Sequence, residues 1–519
     1  MGGPLDGKDE QVDVVIVGGG PTGLLSALLL RQLGTTVSVI DPKTGPLQLG
    51  RADALNARTQ QYLQVAGVLD ELREKGVECN TSSTFGDGIF KSRQSQWWTG
   101  LEHCLHKHFL MIGQPEVEAA FLNRLGTSVH YSEQAVSMNE DDQGVTITTD
   151  VGRTIRARYA IGADGAKSMV RNSLGISFTG TKPEMIWAVL DTFIETDFPI
   201  CSEIITFQLN EQSRVSWIPR ERGMARFYVL LDGEITQEKA ETSIRNHMSP
   251  RKVEFRETEW FSTFEIKERI ASTFVSETGA SRILLAGDAA HVHAVNGGQG
   301  LNTGIADAFA LAWRLAMIVR ADDNDAALAR RLIQSYDIER RTVAQDVINV
   351  AARLVRNTMH TAKQYVGTIE KSAGYITGMG VAYDGIGSSL ISETQHGIWK
   401  AGRRCPDIVL KTFAPQSTLR LYATVTYGSF LVLSCGAPLS QGYSMLHRLG
   451  KVYTLLPIEM STPQSGSKRL KDEAPPFKCA EILATDEHFV IVVRPDMYIG
   501  YVGTEEYAAS YLKLLASST

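Results

Sequence analysis

Residues 12–41 read VDVVIVGGGPTGLLSALLLRQLGTTVSVID, and their order decides the fold of the first half of the chain. Val12 to Val17 form a nearly continuous apolar run, the mark of a parallel strand buried on both faces. Gly18, Gly20 and Gly23 follow at once in the spacing GxGxxG, then an apolar helix, then a second strand ending in Asp41. Strand, glycine turn, helix, strand and acid, with the acid roughly twenty residues after the glycines, is the pattern of a dinucleotide-binding βαβ unit. The glycines allow a pyrophosphate to approach the helix N-terminus, and Asp41 can accept hydrogen bonds from a ribose.

A second stretch, ILLAGDAAHVHAVNGGQGLNTGIADAFALAWRLA at 283–316, has the same logic. An apolar strand (Ile283 to Leu285) ends in Gly287 and Asp288, and a loop with Gly297, Gly298 and Gly300 follows. A helix beginning near Asn302 shows a core-facing stripe through Ile305, Ala308, Phe309, Ala312 and Leu315. Strand end, carboxylate, small residues and helix N-terminus suit close approach to a large polar cofactor.

A length of 519 residues exceeds one ordinary core, so two or three domains are expected. The formal charge of -6 argues against nucleic acid or an anionic membrane as the main partner. Six scattered cysteines, with no CxxC and no zinc spacing, fit a reducing compartment. The opening MGGPLDGKDE lacks a hydrophobic signal core, and Asp6 stands where a myristoylation site needs Ser or Thr. The longest apolar run, Leu24 to Leu30, is far short of a membrane span. The expectation is a soluble, cytoplasmic protein acting on a small molecule.

Between these stretches, GRADALNART opens with Arg51 and Asp53 in a loop and leads into an amphipathic helix through Leu63, Val65, Leu69 and Leu72. On their own, Arg51 and Arg58 read as solvated surface residues. HFLMIGQPEVEAAFLNRLG reads as a strand ending at Gln114 and then a helix. Alternation from Ser128 to Ile155 predicts a small antiparallel sheet turning at Asp141 to Gly144. YAIGADGAKSMVR places Asp164 and Gly165 at another strand end. From about Gly180 to Ser276 strands dominate, and two-residue alternation puts Arg226, Tyr228 and Leu230 on one face and Phe227 and Val229 on the other. His103, Cys104, His106 and His108 do not match a usual metal-ligand spacing, so no metal is expected. His291 and His293 read as packing or hydrogen-bonding residues. Helical patterning continues to about Lys371, and β-rich segments from about Gly402, closing with a helix at Glu505 to Leu515, set a boundary near residue 400.

Taken together, GGGPTG, GRADALNART, Gln114 in its strand-to-helix turn, GADGAKSMVR, IPRERGMARFY, GDAAHVHAVNGGQGLNTG, SYDIERR and VVRPDMYIGYVG run in the order of the single-component FAD-dependent aromatic hydroxylases. The chain most resembles their phenol hydroxylase-like branch, which carries an added thioredoxin-like C-terminal domain. The resemblance implies an α/β fold in which a Rossmann-type FAD-binding domain is interleaved with a β-sheet substrate domain, as in p-hydroxybenzoate hydroxylase. It implies an FAD and substrate unit over 1–398, with the substrate part at about 76–100 and 180–276, and a thioredoxin-like unit over 400–519. Lacking CxxC, that last unit cannot run dithiol exchange and is expected to serve packing or homodimerisation.

The resemblance also assigns roles. Gly18, Gly20, Gly23 and Asp41 would hold the ADP half of FAD, and Arg51 and Gln114 would contact its phosphate and ribityl region. Asp164 and Gly165 form the DG motif, associated with FAD and a passing nicotinamide. Gly287 and Asp288 would meet the ribityl chain, with Gly297, Gly298, Gly300, Leu301 and Asn302 against the isoalloxazine. With one GxGxxG and no second dinucleotide domain, NADPH or NADH would reduce FAD transiently and leave. Reduced FAD and O2 would then give a C4a-hydroperoxide that hydroxylates a phenolic or polyketide-derived aromatic ring. Asp53, Arg226 and Tyr228 would be the catalytic trio: Tyr228 hydrogen-bonding the substrate hydroxyl, Asp53 assisting as base through Tyr228, and Arg226 stabilising the phenolate.

One departure stands out. Where the family commonly has prolines after the His of GDAAH, this chain has Ala294 and Val295, which frees φ and adds an N–H beside the reactive edge. Baeyer-Villiger oxidation or epoxidation by the same peroxide is one alternative, and a non-oxygenating flavoprotein (oxidase, dehydratase or binding protein) another. A flavin-dependent halogenase is disfavoured, because Arg214 and Ser216 occupy both tryptophan positions of WxWxIP.

Overall fold

The computed structural model describes residues 9–95, 101–182, 186–199, 203–210, 212–265, 267–277, 281–293, 298–321, 325–358, 371–413, 417–443, 445–460, 475–485 and 487–515. Ala294, Val295 and Gly297 therefore lie outside the described residues.

Strand Glu10–Val17 sits between Val37–Asp41 and Thr154–Gly162, parallel to both, with Ile16 opposite Val39 and Ile161. Val14, Val15 and Ile16 are fully buried, which explains a continuous apolar run instead of an alternating one. The far edge of Thr154–Gly162 is shared. Its first half pairs antiparallel with Val145–Thr149, and its second half pairs parallel with Ile283–Leu285. Val17, Gly162 and Leu285 consequently end side by side, and the two stretches that opened the sequence reading meet at one carboxyl edge of one sheet. The segment expected to form a small antiparallel sheet pairs antiparallel as expected and joins this sheet through the open edge of Thr154–Gly162; its turn is closed by the Asp141 N–H donating to the Gly144 carbonyl at 2.9 Å.

Helices Pro21–Gln32 and Gln299–Arg320 pack on each other against the sheet. The second begins three residues earlier than the expected Asn302, after Gly298 in the left-handed region at φ 62°. The amphipathic stretch after Asp53 forms two helices, Ala57–Val65 and Leu69–Lys75, because Gly67 at φ 74° ends the first. Arg58 corrects the surface reading: it is buried, donates to the Tyr422 hydroxyl at 2.9 Å and to the Asp496 carbonyl at 3.2 Å, and lies over the Tyr62 ring.

A second seven-stranded sheet runs in the order Val253–Glu265, Ile186–Thr196, Ala225–Leu230, Gln212–Pro219, Ile204–Leu209, Ser82–Gly86, Ile89–Gln94. Phe227 and Val229 face a core closed by helix Gln237–Met248, so the polar residues of the same strand turn toward the first sheet.

A third seven-stranded sheet holds Phe430–Cys435 parallel to Gly450–Pro457 and antiparallel to Phe489–Val493, which in turn pairs antiparallel with Ile499–Gly503; helix Glu505–Lys513 follows. It joins the rest through buried charge. Arg494 donates to both oxygens of Glu339, on helix Ala326–Thr358, at 2.7 Å each and to Asp496, while Arg314 donates to Glu339 at 2.7 Å. Tyr427 makes a further tie. Its hydroxyl donates to the Phe309 carbonyl at 2.7 Å and accepts from the Trp313 N–H at 2.9 Å, so it stands between the two groups of one helical rung. Among the described residues no helix is long and apolar enough to cross a membrane.

Candidate active site

The carboxyl edge of the first sheet opens into a cleft of about 310 Å³, closed from the other side by Tyr228 and Phe264 of the second sheet. Three glycines of the first turn play different parts. A Cβ on Gly18, at φ 114°, would stand 2.2 Å from the Ala163 carbonyl oxygen, and one on Gly23 would stand 1.9 Å from the Gly18 oxygen. Those two are glycine because chain meets chain. Gly20 lines the cleft and a Cβ there would meet nothing within 4 Å. It also caps helix Pro21–Gln32 without any side-chain hydrogen bond, so the first-turn N–H groups are left for whatever occupies the cleft.

Asp41 lies beneath this turn. Its Oδ2 accepts the Gly19 N–H at 2.6 Å and its Oδ1 the Lys43 N–H at 2.8 Å, which fixes the glycine loop as well as presenting a carboxylate at the strand end. Arg51 and Gln114 line the cleft together. The Gln114 N–H donates to the Ala52 carbonyl at 2.9 Å, so the loop and the helix Gln114–Leu125 are joined at the rim. Gly165 lines the cleft, whereas Asp164 is turned to its own helix, accepting from Met169 and Val170 at 2.7 and 3.1 Å.

On the opposite wall, Asp288, Gly298, Gly300 and Leu301 line the cleft. Asp288 is exposed to the cleft yet surrounded by protein beyond it. That desolvation raises its pKa, against the lowering effect of His291 and Arg51. Gly287 sits behind it against Thr22, with φ 61° and an added Cβ only 2.6 Å from Thr22 Oγ1. Helix Gln299–Arg320, like the first, starts without a side-chain cap, so its positive end also faces the cleft. Asn302 does not line it. Its side chain accepts the Asn56 N–H at 2.9 Å and donates to the Ala54 carbonyl at 2.9 Å, stitching the helix to the GRADALN loop. His291 is a packing and hydrogen-bonding residue: its Nε2 is 2.7 Å from Asp307 Oδ2, and Asp307 also holds Arg340 at 2.7 Å.

Asp53 and Tyr228 line the cleft from opposite walls, with the Tyr228 hydroxyl donating to Asp53 Oδ2 at 3.3 Å. Burial first, and then the neighbouring Asp53, hold the Tyr228 phenol well above its ordinary pKa, so it is a neutral donor. Arg226 differs from the expectation that it would meet the substrate oxygen. It is 0% exposed and does not line the cleft; its Nη1 lies 3.5 Å from Asp53 Oδ2 and donates to the Arg51 carbonyl, while Nε and Nη2 grip Asp191.

Asp191 was missed from sequence, although a single carboxylate inside the apolar strand WAVLDTF was a signal. Val292 and His293, inside GDAAHVHAVNGGQGLNTG, also line the cleft, although His293 was read only as a packing or hydrogen-bonding residue; Phe264 lines it too and carried no motif. No group of three or more His, Cys, Asp or Glu side chains able to hold a metal occurs among the described residues. His106 Nε2 is 3.1 Å from Gln64 Oε1, and His108 faces Glu78 at 3.5 Å.

The FAD binding domain family matches residues 11–351. The chain is 31% identical to rifampicin monooxygenase of Streptomyces venezuelae, over 77% of this chain and 83% of that protein. It is 30% identical to 3-hydroxybenzoate 4-monooxygenase of Comamonas testosteroni, over 66% of this chain and 59% of that longer protein. Two solved structures share the fold over nearly the whole length. Aklavinone-11 hydroxylase with FAD and aklavinone gives a TM-score of 0.76 at 22% identity, covering 98% of this chain and 99% of that one. The flavin-dependent monooxygenase PieE with FAD and substrate gives 0.75 at 18%, covering 97% and 98%.

Proposed function

The chain belongs to the FAD-binding monooxygenase family, and from that premise we propose that it is an NAD(P)H-consuming monooxygenase that adds one oxygen atom of O2 to a phenolic or polyketide-derived aromatic substrate. The observation that carries this reading is the Tyr228–Asp53 pair, held at 3.3 Å in the same cleft as two uncapped helix N-termini. Bound FAD would supply the electrons taken from NAD(P)H and the activation of O2.

The cleft residues fit that group. The amides after Gly20 suit its pyrophosphate, Arg51 and Gln114 its phosphate and ribityl region, Asp288 its ribityl hydroxyls, and the start of helix Gln299–Arg320 the electron-rich edge of its ring system. The substrate hydroxyl donates to Tyr228 Oη, and as the ring becomes the better nucleophile the substrate proton passes to Tyr228 Oη while the Tyr228 proton moves toward Asp53 Oδ2. Arg226 keeps that carboxylate in place from behind.

The C-terminal unit is read as thioredoxin-like, supported by its parallel pair followed by two antiparallel strands and a helix. Its contribution is to packing.

Turnover of a phenol panel with NAD(P)H under labelled oxygen gas tests the reading. One labelled atom should appear in product for each NAD(P)H consumed in coupled turnover. No incorporation during NAD(P)H-dependent turnover would overturn it in favour of a non-oxygenating flavoprotein, and product structure separates ring hydroxylation from Baeyer-Villiger insertion or epoxidation.

A further inference from the structure

We propose that Asp191 is a positioning residue of this site: by gripping Arg226 from behind, it fixes the one guanidinium nitrogen that reaches Asp53 and so sets where the Tyr228 hydroxyl points. The inference rests on the reading of Tyr228 and Asp53 given above.

Asp191 stands directly opposite Arg226 in the antiparallel pairing of Ile186–Thr196 with Ala225–Leu230. The contact is a two-pronged fork, Nε to Oδ1 and Nη2 to Oδ2 at 2.6 Å each, and both side chains are buried. A planar fork removes the rotational freedom that a single contact would leave. Only Nη1 remains, and it is directed at Asp53 Oδ2 and the Arg51 carbonyl. The same Asp53 oxygen receives the Tyr228 hydroxyl.

Asp191 is itself held from the far side. Arg220 Nη1 lies 3.3 Å from Asp191 Oδ1, and Arg220 is fixed by Glu221 at 2.6 Å. Asp191, Arg220 and Glu221 line a second cavity of about 650 Å³, whereas Asp53 and Tyr228 line the cleft. The Arg226 guanidinium thus lies between residues of the two cavities, over the Trp260 ring at 5.3 Å, and among its contacts the Asp191 fork is the one that holds two of its nitrogens at once.

A purely structural ion pair would make the same contacts, so the test needs a readout that such a role would not move. Holoenzyme carrying Asp191→Asn keeps the shape but offers Arg226 a single acceptor oxygen. With the phenol that the wild type turns over fastest, product formed per NAD(P)H should fall about tenfold, while the rate of flavin reduction and the dissociation constant for FAD change less than about threefold. Asp191→Glu, which keeps the charge and moves the fork by one methylene, should recover part of the loss and stay two- to threefold below wild type. If Asp191→Asn yields no holoenzyme, Asp191→Glu carries the test by itself, and wild-type coupling in it overturns the assignment. Tyr228→Phe is run beside them. Coupling equal to wild type in both Asp191 variants, or a loss of FAD affinity that matches the loss of coupling, overturns the assignment. Full coupling in Tyr228→Phe would instead overturn the reading of the site on which it rests.

Discussion

Tyr228 and Asp53, 175 positions apart in the chain, meet at 3.3 Å across the cleft, one carried by the second sheet and the other by the loop that precedes Ala54. Neither wall owns the pair, so its geometry is set by how the two sheets are docked.

Replacing Tyr228 by Phe removes the hydroxyl and leaves the ring. Product formation should drop by about 100-fold, the order expected for loss of a positioned acid–base group. NAD(P)H-dependent flavin reduction, followed by stopped-flow absorbance, should stay within about twofold of wild type; equal losses would sink the assignment.

Gly18 and Gly20 make opposite predictions. Gly18→Ala forces a side chain onto φ 114° and into the Ala163 carbonyl, and should cost roughly 3 kcal/mol or more in a thermal melt. Gly20→Ala meets only open space and has an extended backbone at φ -86°, so the melt should move by less than about 1 kcal/mol. Its effect should appear as FAD affinity weakened about tenfold or more, measured by flavin fluorescence, because the methyl would enter the cleft.

Glu339→Gln removes the carboxylate shared by Arg494 and Arg314 in the buried joint between the first unit and the C-terminal sheet. Uncompensated buried charge of this kind costs about 3–5 kcal/mol. Denaturant unfolding should show that loss, and a change below about 1 kcal/mol would show that the joint is not a point of stability.

The residues were most legible where a motif is local and least legible where the outcome depends on register. GxGxxG and GDAAH each carry their own strand, turn and helix start, and both arrive at the same sheet edge. Arg58 was unreadable because its partners, Tyr422 and Asp496, lie hundreds of residues downstream. Asp191 needed the register between two strands, and Asn302 needed the fold to bring Asn56 against it. The hairpin after Ala135 was legible as a hairpin, but not as an extension of the main sheet, because alternation does not name the neighbouring strand.

His106 gives the protein an acid-sensitive element. Burial, reinforced by His108 and Arg73, lowers its pKa from 6.5 to about 4. The unfolded chain therefore binds a proton that the folded chain refuses between those values, and stability should fall as pH drops through that window. The contribution is on the order of 3 kcal/mol at full loss. His106→Gln should lose less stability than the wild type between pH 6.5 and 4 in paired thermal melts; parallel curves would contradict the assignment.

The Tyr427 hydroxyl completes a rung in the middle of the helix whose first residues line the cleft. A chain cut near residue 400 would keep every cleft residue described above and still lose the hydroxyl that bridges that rung, and it would open to water the helix face on which Phe309 and Trp313 now pack against Tyr427 and Phe430. The outer sheet is therefore a splint. Shortening the protein would soften the bed on which the cofactor lies, and the damage would be read out in how firmly flavin is held, at a distance from the cut.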